Sequence, residues 1–369
     1  MSFITSTSTS SSHTFIIAEI GTSHGGSCDK AKELINAAIY AGADCVKFQI
    51  VYAHEILHSD TGFVKLPTGN IPLYDRFKEL ETSPEFYIKC ADYCKKQNIL
   101  FSASPFGLQS LNELAAINPA MIKIPSPELN HFPLLHYINE NYYNFPLVLS
   151  SGVSKLSDIE KALEATTNVK SRALLHCITA YPAPEEEYNL KLIENLSAIF
   201  GVPCGVSDHS MDPVLVPVLS VACGGSVIEK HICLSRKDSG LDDPVALEPD
   251  DFLKMVKAVR KAESQTHEEI IAELSSQYGS EKVLRILGSG KKELAAAEKQ
   301  NYTRTNRSIH FMRSMRKGEK ITENDIAVLR TEKVLSPGIS PEFYDTVLGA
   351  ELARDVQNGS GLVWTDVIN

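Results

Sequence analysis

Several absences limit what this sequence can encode. Its 369 residues contain no run of about 18 consecutive apolar residues, which a membrane-spanning helix would require. The formal net charge is −10, so we expect neither nucleic acid nor an anionic membrane as a general partner. The eight cysteines include no Cys-x-x-Cys pair and lie mostly in apolar segments. They predict reduced, structural thiols in a cytoplasmic protein.

Two common nucleotide-binding signatures are also missing. No Gly-x-Gly-x-x-Gly stretch is present, and Gly290-Lys291 is preceded by Arg285 where a Walker loop requires glycine. Residues 1–13 are rich in serine and threonine, and they lack the basic start and apolar stretch of a secretory signal. We therefore expect a disordered N-terminal tail over residues 1–13.

Eight short apolar segments, each followed by a segment of helical spacing or by a loop, predict a β/α domain over residues 14–280. The segments are continuously apolar rather than alternating, which is typical of parallel strands buried on both faces. Eight such units in about 250 residues favour a TIM (β/α)8 barrel over a doubly wound open sheet. The predicted strands are 15–20, 44–50, 99–104, 120–125, 146–150, 173–178, 203–207 and 225–231.

The rest of the chain divides into three parts. Residues 51–80 form a long insertion with Pro and Gly at its centre, and we expect it to cover a functional site. Residues 281–301 are polar and predict a linker. Residues 302–369 contain short β-type segments and a weak repeat between 318–326 and 359–367, so they predict a small β-rich domain.

Reactive side chains follow most of the predicted strands. In a TIM barrel the active site lies where the strands end, so these side chains are candidates for one site. The candidates are Glu19, Lys47, Gln49, Ser104, Lys123, Ser126, Glu128, Ser150, His176, Thr179, Tyr181, Ser207, Asp208, His209, Glu229 and His231.

Lys47 and Lys123 lie inside apolar strands, where a charge is costly unless it is paired or functional. A buried lysine paired with a carboxylate is the structural interpretation. Two lysines that converge with the hydroxyls of nearby serines would instead form a phosphate cradle. A Schiff base on one lysine, as in class I aldolases, is the rival functional interpretation.

His209 and His231 end two consecutive strands. Such a pair can share one metal ion and leave coordination positions for water and substrate. Each histidine can equally be a polar residue satisfied by its neighbours. Glu128, Glu229 and Asp242 are candidates for orienting water or accepting a proton, or else for pairing with nearby cations.

A series of motifs occurs along the chain in a fixed order. They are Ala18-Glu-Ile-Gly21, Val46-Lys-Phe-Gln49, Ser104-Pro-Phe106, Ile122-Lys-Ile-Pro-Ser-Pro-Glu128, Leu149-Ser-Ser-Gly152, His176-Cys-Ile-Thr-Ala-Tyr-Pro182, Gly205-Val-Ser-Asp-His209 and Glu229-Lys-His231. Together they resemble the sialic acid synthase (N-acetylneuraminate synthase) family. The C-terminal segment resembles that family's antifreeze-like domain, also called the SAF or β-clip domain. The resemblance covers the chain from about residue 15 to its end.

The resemblance implies a transferase reaction. Phosphoenolpyruvate would condense with the open-chain aldehyde of an N-acetylmannosamine-type sugar, and phosphate would leave with C–O cleavage after water adds. A diacetamido-trideoxy sugar, as used in legionaminic or pseudaminic acid synthesis, is the alternative substrate. A more remote alternative is a non-catalytic carbohydrate-binding protein on the same scaffold.

The resemblance also implies roles for individual residues. His209 and His231 would hold a divalent metal, Mn²⁺ or Mg²⁺, and Glu128 would steer the attacking water. Contacts to phosphoenolpyruvate would come from Lys47, Ser104, Lys123, Ser126, Ser150 and Ser207. Positions near the sugar or the metal-bound water would be those of Glu19, Gln49, Tyr181 and Asp242.

In the family, the SAF domain of one subunit covers the barrel of its partner and delivers an arginine to the sugar's acyl group. The resemblance therefore implies a domain-swapped homodimer, with Arg330 as the best match for that arginine and Arg307 as a competitor. Arg330 departs from the family pattern because no Pro-Gly follows it directly, and this bears on its match to that arginine. Two further departures, Ser23 before His24 and Thr179 in place of Asn, lie near the sugar. They affect the identity of the sugar rather than the reaction.

Overall fold

The computed structural model describes residues 13–66 and 69–368. Residues 1–12 of the predicted tail lie outside the described part, and His13 bonds to the Asp44 carboxylate through Nε2 at 3.0 Å. The strands are β1 Phe15–Gly21, β2 Cys45–Ile50, β3 Phe63–Leu66, β4 Gly69–Pro72, β5 Leu100–Pro105, β6 Ile122–Ile124, β7 Leu147–Ser150, β8 Arg172–Cys177, β9 Cys204–Asp208, β10 Val227–His231, β11 Arg307–Phe311 and β12 Ile326–Arg330.

Helices follow or precede most barrel strands. They are α1 Cys28–Ala41, α2 Ala53–Ile56, α3 Leu73–Lys78, α4 Pro84–Gln97, α5 Leu108–Ile117, α6 Phe132–Asn141, α7 Leu156–Glu164, α8 Leu192–Phe200, α9 Leu215–Ala222, α10 Pro249–Ala262, α11 His267–Tyr278, α12 Ser280–Leu287 and α13 Tyr344–Val347. Short 3-10 turns occupy Ser126–Glu128, Glu185–Glu187, Asp243–Val245, Ala296–Glu298, Pro341–Phe343 and Trp364–Asp366. No helix among the described residues is long and apolar enough to cross a membrane.

Eight parallel strands close into a barrel in the order β1-β10-β9-β8-β7-β6-β5-β2. This confirms the predicted TIM barrel, and each predicted strand is present within a few residues of its expected ends. One set of strand residues packs outward against the helices. The alternate set forms an apolar cluster inside the barrel, made of Phe15, Ile17, Cys45, Met121, Val148, Ala173, Leu175 and Val227. Because both faces are buried, the strands are apolar throughout.

The inward positions change character toward the carboxyl ends of the strands. On β1 the alternate positions after Phe15 and Ile17 reach Glu19, and on β10 those after Val227 reach Glu229 and His231. The apolar cluster therefore forms a floor, and charged side chains stand on it at the mouth of the barrel.

The insertion after β2 is more regular than predicted. It contains α2, the antiparallel hairpin β3–β4 and α3. Val51, Ile56, Leu57, Leu73 and Phe106 form its own small apolar cluster. Leu57 also forms a bridge with Arg330 on β12, so the insertion joins the barrel to the C-terminal domain.

Helix α12 packs with the barrel rather than with the linker. Val283, Ile286 and Leu287 are buried in the main core, and the amide of Leu190 bonds to the carbonyl of Ile286 at 2.9 Å. The apolar face of α12 thus needs the barrel to be covered, so the boundary expected at residue 280 falls at the start of a barrel-bound helix.

The C-terminal domain has its own core around Ile309, Phe311, Met315, Ile326 and Leu362. Its weak sequence repeat corresponds to a repeated contact. Arg313 Nε lies 2.6 Å from Asp325 Oδ1, and Arg354 Nε lies 2.6 Å from Asp366 Oδ1. The two halves therefore use the same arginine–aspartate pair to close equivalent turns.

Gly205 tests how tightly β9 and β10 are packed. An added Cβ would lie 1.9 Å from the carbonyl oxygen of Val227, and this backbone atom cannot move without breaking the strand pairing. We expect Gly205→Ala to lower the free energy of unfolding by about 3 kcal/mol or more. The control Gly201→Ala has open space at a left-handed position, where the cost is about 1 kcal/mol. Guanidinium unfolding would measure both, and equal losses would contradict the steric explanation.

Candidate active site

A cavity at the carboxyl ends of the strands brings together most of the predicted site residues. It is lined by Glu19, Lys47, Gln49, Lys123, Ser126, Ser150, Thr179, Tyr181, Ser207, His209 and His231. Four further residues line it as well, namely Pro125, Pro127, Cys177 and Glu229. Ser104, Glu128, Asp242 and Arg330 are not among its lining residues.

Lys47 and Lys123 converge on the carboxylate of Glu229. Lys47 Nζ lies 3.7 Å from Glu229 Oε2, and Lys123 Nζ lies 3.4 Å from Glu229 Oε1. Lys47 also lies 2.7 Å from Glu19 Oε2 and donates to Ser104 Oγ at 3.0 Å. Ser104 thus acts on Lys47 rather than in the cavity. The structure supports both sequence interpretations of these lysines, since they are paired and they also face one cavity.

Burial and pairing set different protonation states for the two carboxylates. Burial raises the pKa of Glu19 to about 7, against the opposing effect of Lys47. Burial would also raise the pKa of Glu229, but Lys123, Lys47 and the Ser207 hydroxyl together lower it to about 2. Burial lowers the pKa of Lys123 despite the nearby Glu229. Glu229 is therefore the firmly ionised carboxylate of the cavity, and both lysines converge on it. Ammonium groups around one cavity are suited to an anionic ligand.

Two hydroxyls at the cavity lack partners. Among the described residues, no group hydrogen-bonds to Ser150 Oγ or Thr179 Oγ1, although both atoms are buried. Ser126 Oγ, at the same edge, accepts from the amide of Gly152 at 3.0 Å. Buried hydroxyls without partners are costly, so this edge of the cavity is suited to an oxygen-rich ligand.

The two histidines stand side by side at the mouth, with ring centroids 5.6 Å apart. His209 Nδ1 lies 2.9 Å from the carbonyl oxygen of Ile178, which leaves Nε2 as the acceptor in the neutral ring. Asp242 Oδ2 lies 3.9 Å from His231 Nδ1. A ring held by a backbone carbonyl through one nitrogen is the usual arrangement of a metal-ligating histidine. The pair therefore fits a divalent cation, although the described residues contain no cluster of three or more metal-ligating side chains.

Neighbouring groups hold His209 in place. Tyr181 is half-exposed and stacks on the His209 ring at a centroid distance of 4.2 Å. Asp208 bonds to Lys230 at 2.6 Å and to Tyr188, whose hydroxyl also accepts from the His209 amide. Asp208 and Lys230 therefore form a structural pair beneath the site.

His176 also has a structural role. It is buried, and its Nε2 bonds to the carbonyl oxygen of Tyr188. It does not line the cavity. Of the three strand-end histidines considered in the sequence, only His209 and His231 face the site.

Glu128 connects the barrel to the C-terminal domain. It is fully buried, and its Oε1 accepts from Arg307 Nη2 at 2.9 Å and from Arg330 Nη2 at 2.8 Å. Its Oε2 is buried without a partner among the described residues. Arg307 also donates to the carbonyl oxygens of Phe106 and Val328. Both arginines that the resemblance singled out thus contact the one carboxylate expected to steer water.

The segment expected to be a linker contributes a residue that sequence reasoning missed. Glu298 is fully buried, and its Oε1 accepts from the amides of Val153 and Thr179, each at 2.7 Å. Its sequence neighbours are polar or small, so no pattern indicated that this glutamate is buried.

The loop after β1 is buried beside the site. His24 packs against Phe86 at a ring-centroid distance of 4.4 Å, and its Nδ1 accepts from the amide of Gly26 at 3.0 Å. Burial lowers the pKa of His24 to about 4, with a further contribution from Lys30. His24 is therefore neutral in the folded protein at pH values where the unfolded chain binds a proton.

This histidine predicts a pH dependence of stability. Between about pH 6.5 and pH 4 the unfolded state protonates His24 and the folded state does not, so stability falls as the pH is lowered through that window. We expect His24→Asn to reduce the slope of unfolding free energy against pH there by about 1.4 kcal/mol per unit. Denaturant titrations across the window measure it. His54→Asn, which removes an exposed histidine, is the control, and an identical slope in all three proteins would contradict the assignment.

Comparisons with known proteins agree with this architecture. The family model described as the NeuB family matches residues 34–270, and the SAF domain model matches residues 306–368. The spore coat polysaccharide biosynthesis protein SpsE of Bacillus subtilis is 34% identical over 96% of this chain and 93% of its own length. Its crystal structure has a TM-score of 0.81 over 97% of this chain and 96% of that chain.

Two further relatives carry names that state what they make. An N,N'-diacetyllegionaminic acid synthase of Legionella pneumophila is 30% identical over 96% of this chain and 94% of its own length. The crystal structure of an N-acetylneuraminic acid (sialic acid) synthetase from Leptospira borgpetersenii has a TM-score of 0.62 and 30% identity, over 78% of this chain and 90% of that chain. With its barrel matched by one model and its small domain by the other, the chain belongs to the NeuB family and carries a C-terminal SAF domain.

Proposed function

We propose that this protein is a nonulosonic acid synthase. In the proposed reaction, phosphoenolpyruvate condenses with the open-chain aldehyde of an N-acetylmannosamine-type sugar, water adds, and phosphate leaves with C–O cleavage. The observation that carries the proposal is the convergence of Lys47 and Lys123 on one cavity that also holds unpartnered hydroxyls and two adjacent histidines. This combination offers an anion cradle next to a cation site.

The cradle would bind phosphoenolpyruvate. The two ammonium groups supply positive charge, and Ser126, Ser150 and Ser207 supply hydroxyls around it. The Schiff-base alternative is disfavoured for two reasons. It would use only one lysine of lowered pKa and leave the second unexplained, and phosphoenolpyruvate already carries its enol, so no enamine is needed. We therefore place both lysines in substrate binding, and we expect borohydride to trap no pyruvate on Lys123.

The cation site would be formed by His209 and His231. A divalent ion such as Mn²⁺ or Mg²⁺ bound there supplies a Lewis acid that polarises an aldehyde oxygen. Glu19, Gln49 and Asp242 lie at the same edge, where Gln49 Nε2 donates to Glu19 Oε1 at 2.8 Å. These oxygen and amide groups are suited to sugar hydroxyls or to water.

Glu128 is the proposed residue for orienting the attacking water. Its Oε1 is held by Arg307 and Arg330, and its Oε2 is uncommitted. A carboxylate with one fixed and one free oxygen can hold a water in a single orientation. Arg330 retains some exposure, and we propose it for contact with the sugar's acyl group.

The C-terminal domain described here covers the barrel of its own chain. A homodimer in which each domain covers its partner's barrel would form the same contacts to Glu128 between subunits. We propose that the protein forms this exchanged dimer. Light scattering of the purified protein would show whether its molar mass is that of a dimer.

The sugar is the open choice in this proposal. Ser23 and Thr179 depart from the family pattern near the expected sugar position. The relative from Legionella pneumophila is named for a diacetamido product, and the solved structure from Leptospira borgpetersenii is named for N-acetylneuraminic acid. A diacetamido-trideoxy sugar is therefore the second candidate substrate.

A phosphate-release assay tests the reaction. We expect phosphate only when phosphoenolpyruvate, the sugar and a divalent metal are all present, and no release after chelation. His209→Ala and His231→Ala should each lose about a thousandfold or more in kcat, because Lewis-acid stabilisation is worth several kcal/mol. His136→Ala, an exposed histidine on α6, serves as the control. Full activity in either cavity variant would exclude the metal role.

A sugar panel tests the substrate. Phosphate release is measured with N-acetylmannosamine and with diacetamido-trideoxy sugars at equal concentrations, and we expect N-acetylmannosamine to give the higher kcat/KM. A preference of about tenfold or more for a diacetamido sugar would move the assignment to the second candidate. Calorimetric binding of a sugar without any binding of phosphoenolpyruvate would instead favour the non-catalytic carbohydrate-binding alternative.

A further inference from the structure

The loop after β7 is held from outside the barrel. Lys292 Nζ donates to the carbonyl oxygen of Ser151 at 3.0 Å. Glu298 Oε1 accepts from the amide of Val153 at 2.7 Å, and Asn306 Nδ2 donates to the carbonyl oxygen of the same residue at 3.0 Å. All three side chains come from the segment that leaves α12 and enters the C-terminal domain, which the SAF match places from residue 306.

Val153 needs such support because its backbone is strained. Its φ is +42°, in the left-handed region that a β-branched residue rarely adopts. A residue stays in such a conformation only when its surroundings fix it. Here both polar groups of its backbone are fixed, the amide by Glu298 and the carbonyl by Asn306, and the side chain is fully buried.

The strained residue sets the position of the cavity's hydroxyl edge. Gly152, directly before it, leaves no room for a side chain, because a Cβ there would lie 2.1 Å from Thr179 Oγ1 and 2.8 Å from Ser126 Oγ. The Gly152 amide donates to Ser126 Oγ, and Glu298 also binds the Thr179 amide. A change at Val153 would therefore displace Ser126, Ser150 and Thr179 together.

We propose that Glu298 and Asn306 are positioning residues for this edge of the cavity. By holding Val153 in its left-handed conformation they place the Ser126 and Ser150 hydroxyls for the phosphate-bearing substrate, so docking of the C-terminal domain sets how well that substrate binds. The inference rests on the proposed function for the identity of the substrate. The contacts of Glu298 and Asn306 with the Val153 backbone, called the clamp below, are a property of the free protein and do not depend on the proposed function.

The Glu298 carboxylate is the central part of this arrangement. One fully buried oxygen accepts two short bonds from two different loops, Val153 after β7 and Thr179 after β8. Bonds from amides to an ionised carboxylate are stronger than neutral ones. They also direct these two amides away from the cavity, so that hydroxyls and ammonium groups remain as its donors.

Hydrogen exchange on the substrate-free protein tests the clamp directly. We expect slow exchange at the amides of Val153 and Thr179 in the wild type. In Glu298→Ala their exchange should be faster by about tenfold or more, while the barrel strands β1 and β2 are unchanged. Glu293→Ala, an exposed carboxylate of the same segment, is the matched control and should exchange like the wild type. Unchanged exchange at both amides in Glu298→Ala would overturn the proposal.

Kinetics test the consequence for substrate binding. We expect Glu298→Ala and Asn306→Ala each to raise KM for phosphoenolpyruvate by about tenfold to a hundredfold. In Asn306→Ala, which leaves the bond from the Thr179 amide to Glu298 in place, KM for the sugar should stay within about twofold. Glu298→Gln, which keeps an acceptor oxygen, should recover most of the loss. Val153→Gly in the Glu298→Ala background should also recover part of it, because glycine adopts the left-handed conformation without support.

The outcomes separate this inference from the proposed function. A parallel rise in both KM values in Asn306→Ala, or no recovery of the Glu298→Ala loss with either Glu298→Gln or Val153→Gly, would overturn the inference. A wild-type protein that releases no phosphate would overturn the proposed function alone, since the exchange measurement would still decide the clamp.

Discussion

The burial of several charges at the top of an apolar barrel is the constraint on which the rest of the structure depends. Glu19, Lys47, Lys123 and Glu229 stand on a floor of apolar side chains with almost no access to solvent. Isolated buried charges are prohibitively costly, so each must find a partner among the others. Glu229 satisfies this need most fully, with both lysines and the Ser207 hydroxyl around it. The site's electrostatics follow from that shared carboxylate.

The same constraint applies where the two domains meet. Arg307 is fully buried, and its guanidinium finds Glu128 and carbonyl oxygens of the barrel's loops. A buried guanidinium is tolerated only when its donors are satisfied, and here the partners come from both domains. The domain contact is therefore selective for one orientation of the cover, because any other would leave a buried charge without partners.

The barrel and most of its site residues could be predicted from the sequence for a physical reason. Side chains alternate in direction along each strand, and near the carboxyl end of the strand the inward positions face the cavity. Residues such as Lys47 and His231 therefore appear in the sequence as polar interruptions of apolar segments. Glu298 was not visible, because its partners are backbone amides 145 and 119 residues away and its surroundings resemble a solvent-exposed linker. The meeting of Arg307 and Arg330 at Glu128 spans 179 and 202 residues, and only the folded arrangement of the two domains brings them together.

The single oxygen of Glu128 that receives both arginines has a consequence for how this protein can be studied. Removing that carboxylate would leave two guanidinium groups facing each other in a buried space, and they would repel. A variant at Glu128 would thus weaken the contact between the two domains and at the same time remove the carboxylate that we propose orients the attacking water. Loss of turnover in such a variant would reflect separation of the C-terminal domain from the barrel as much as loss of chemistry in the active site. The two effects can be distinguished only if domain separation is measured independently.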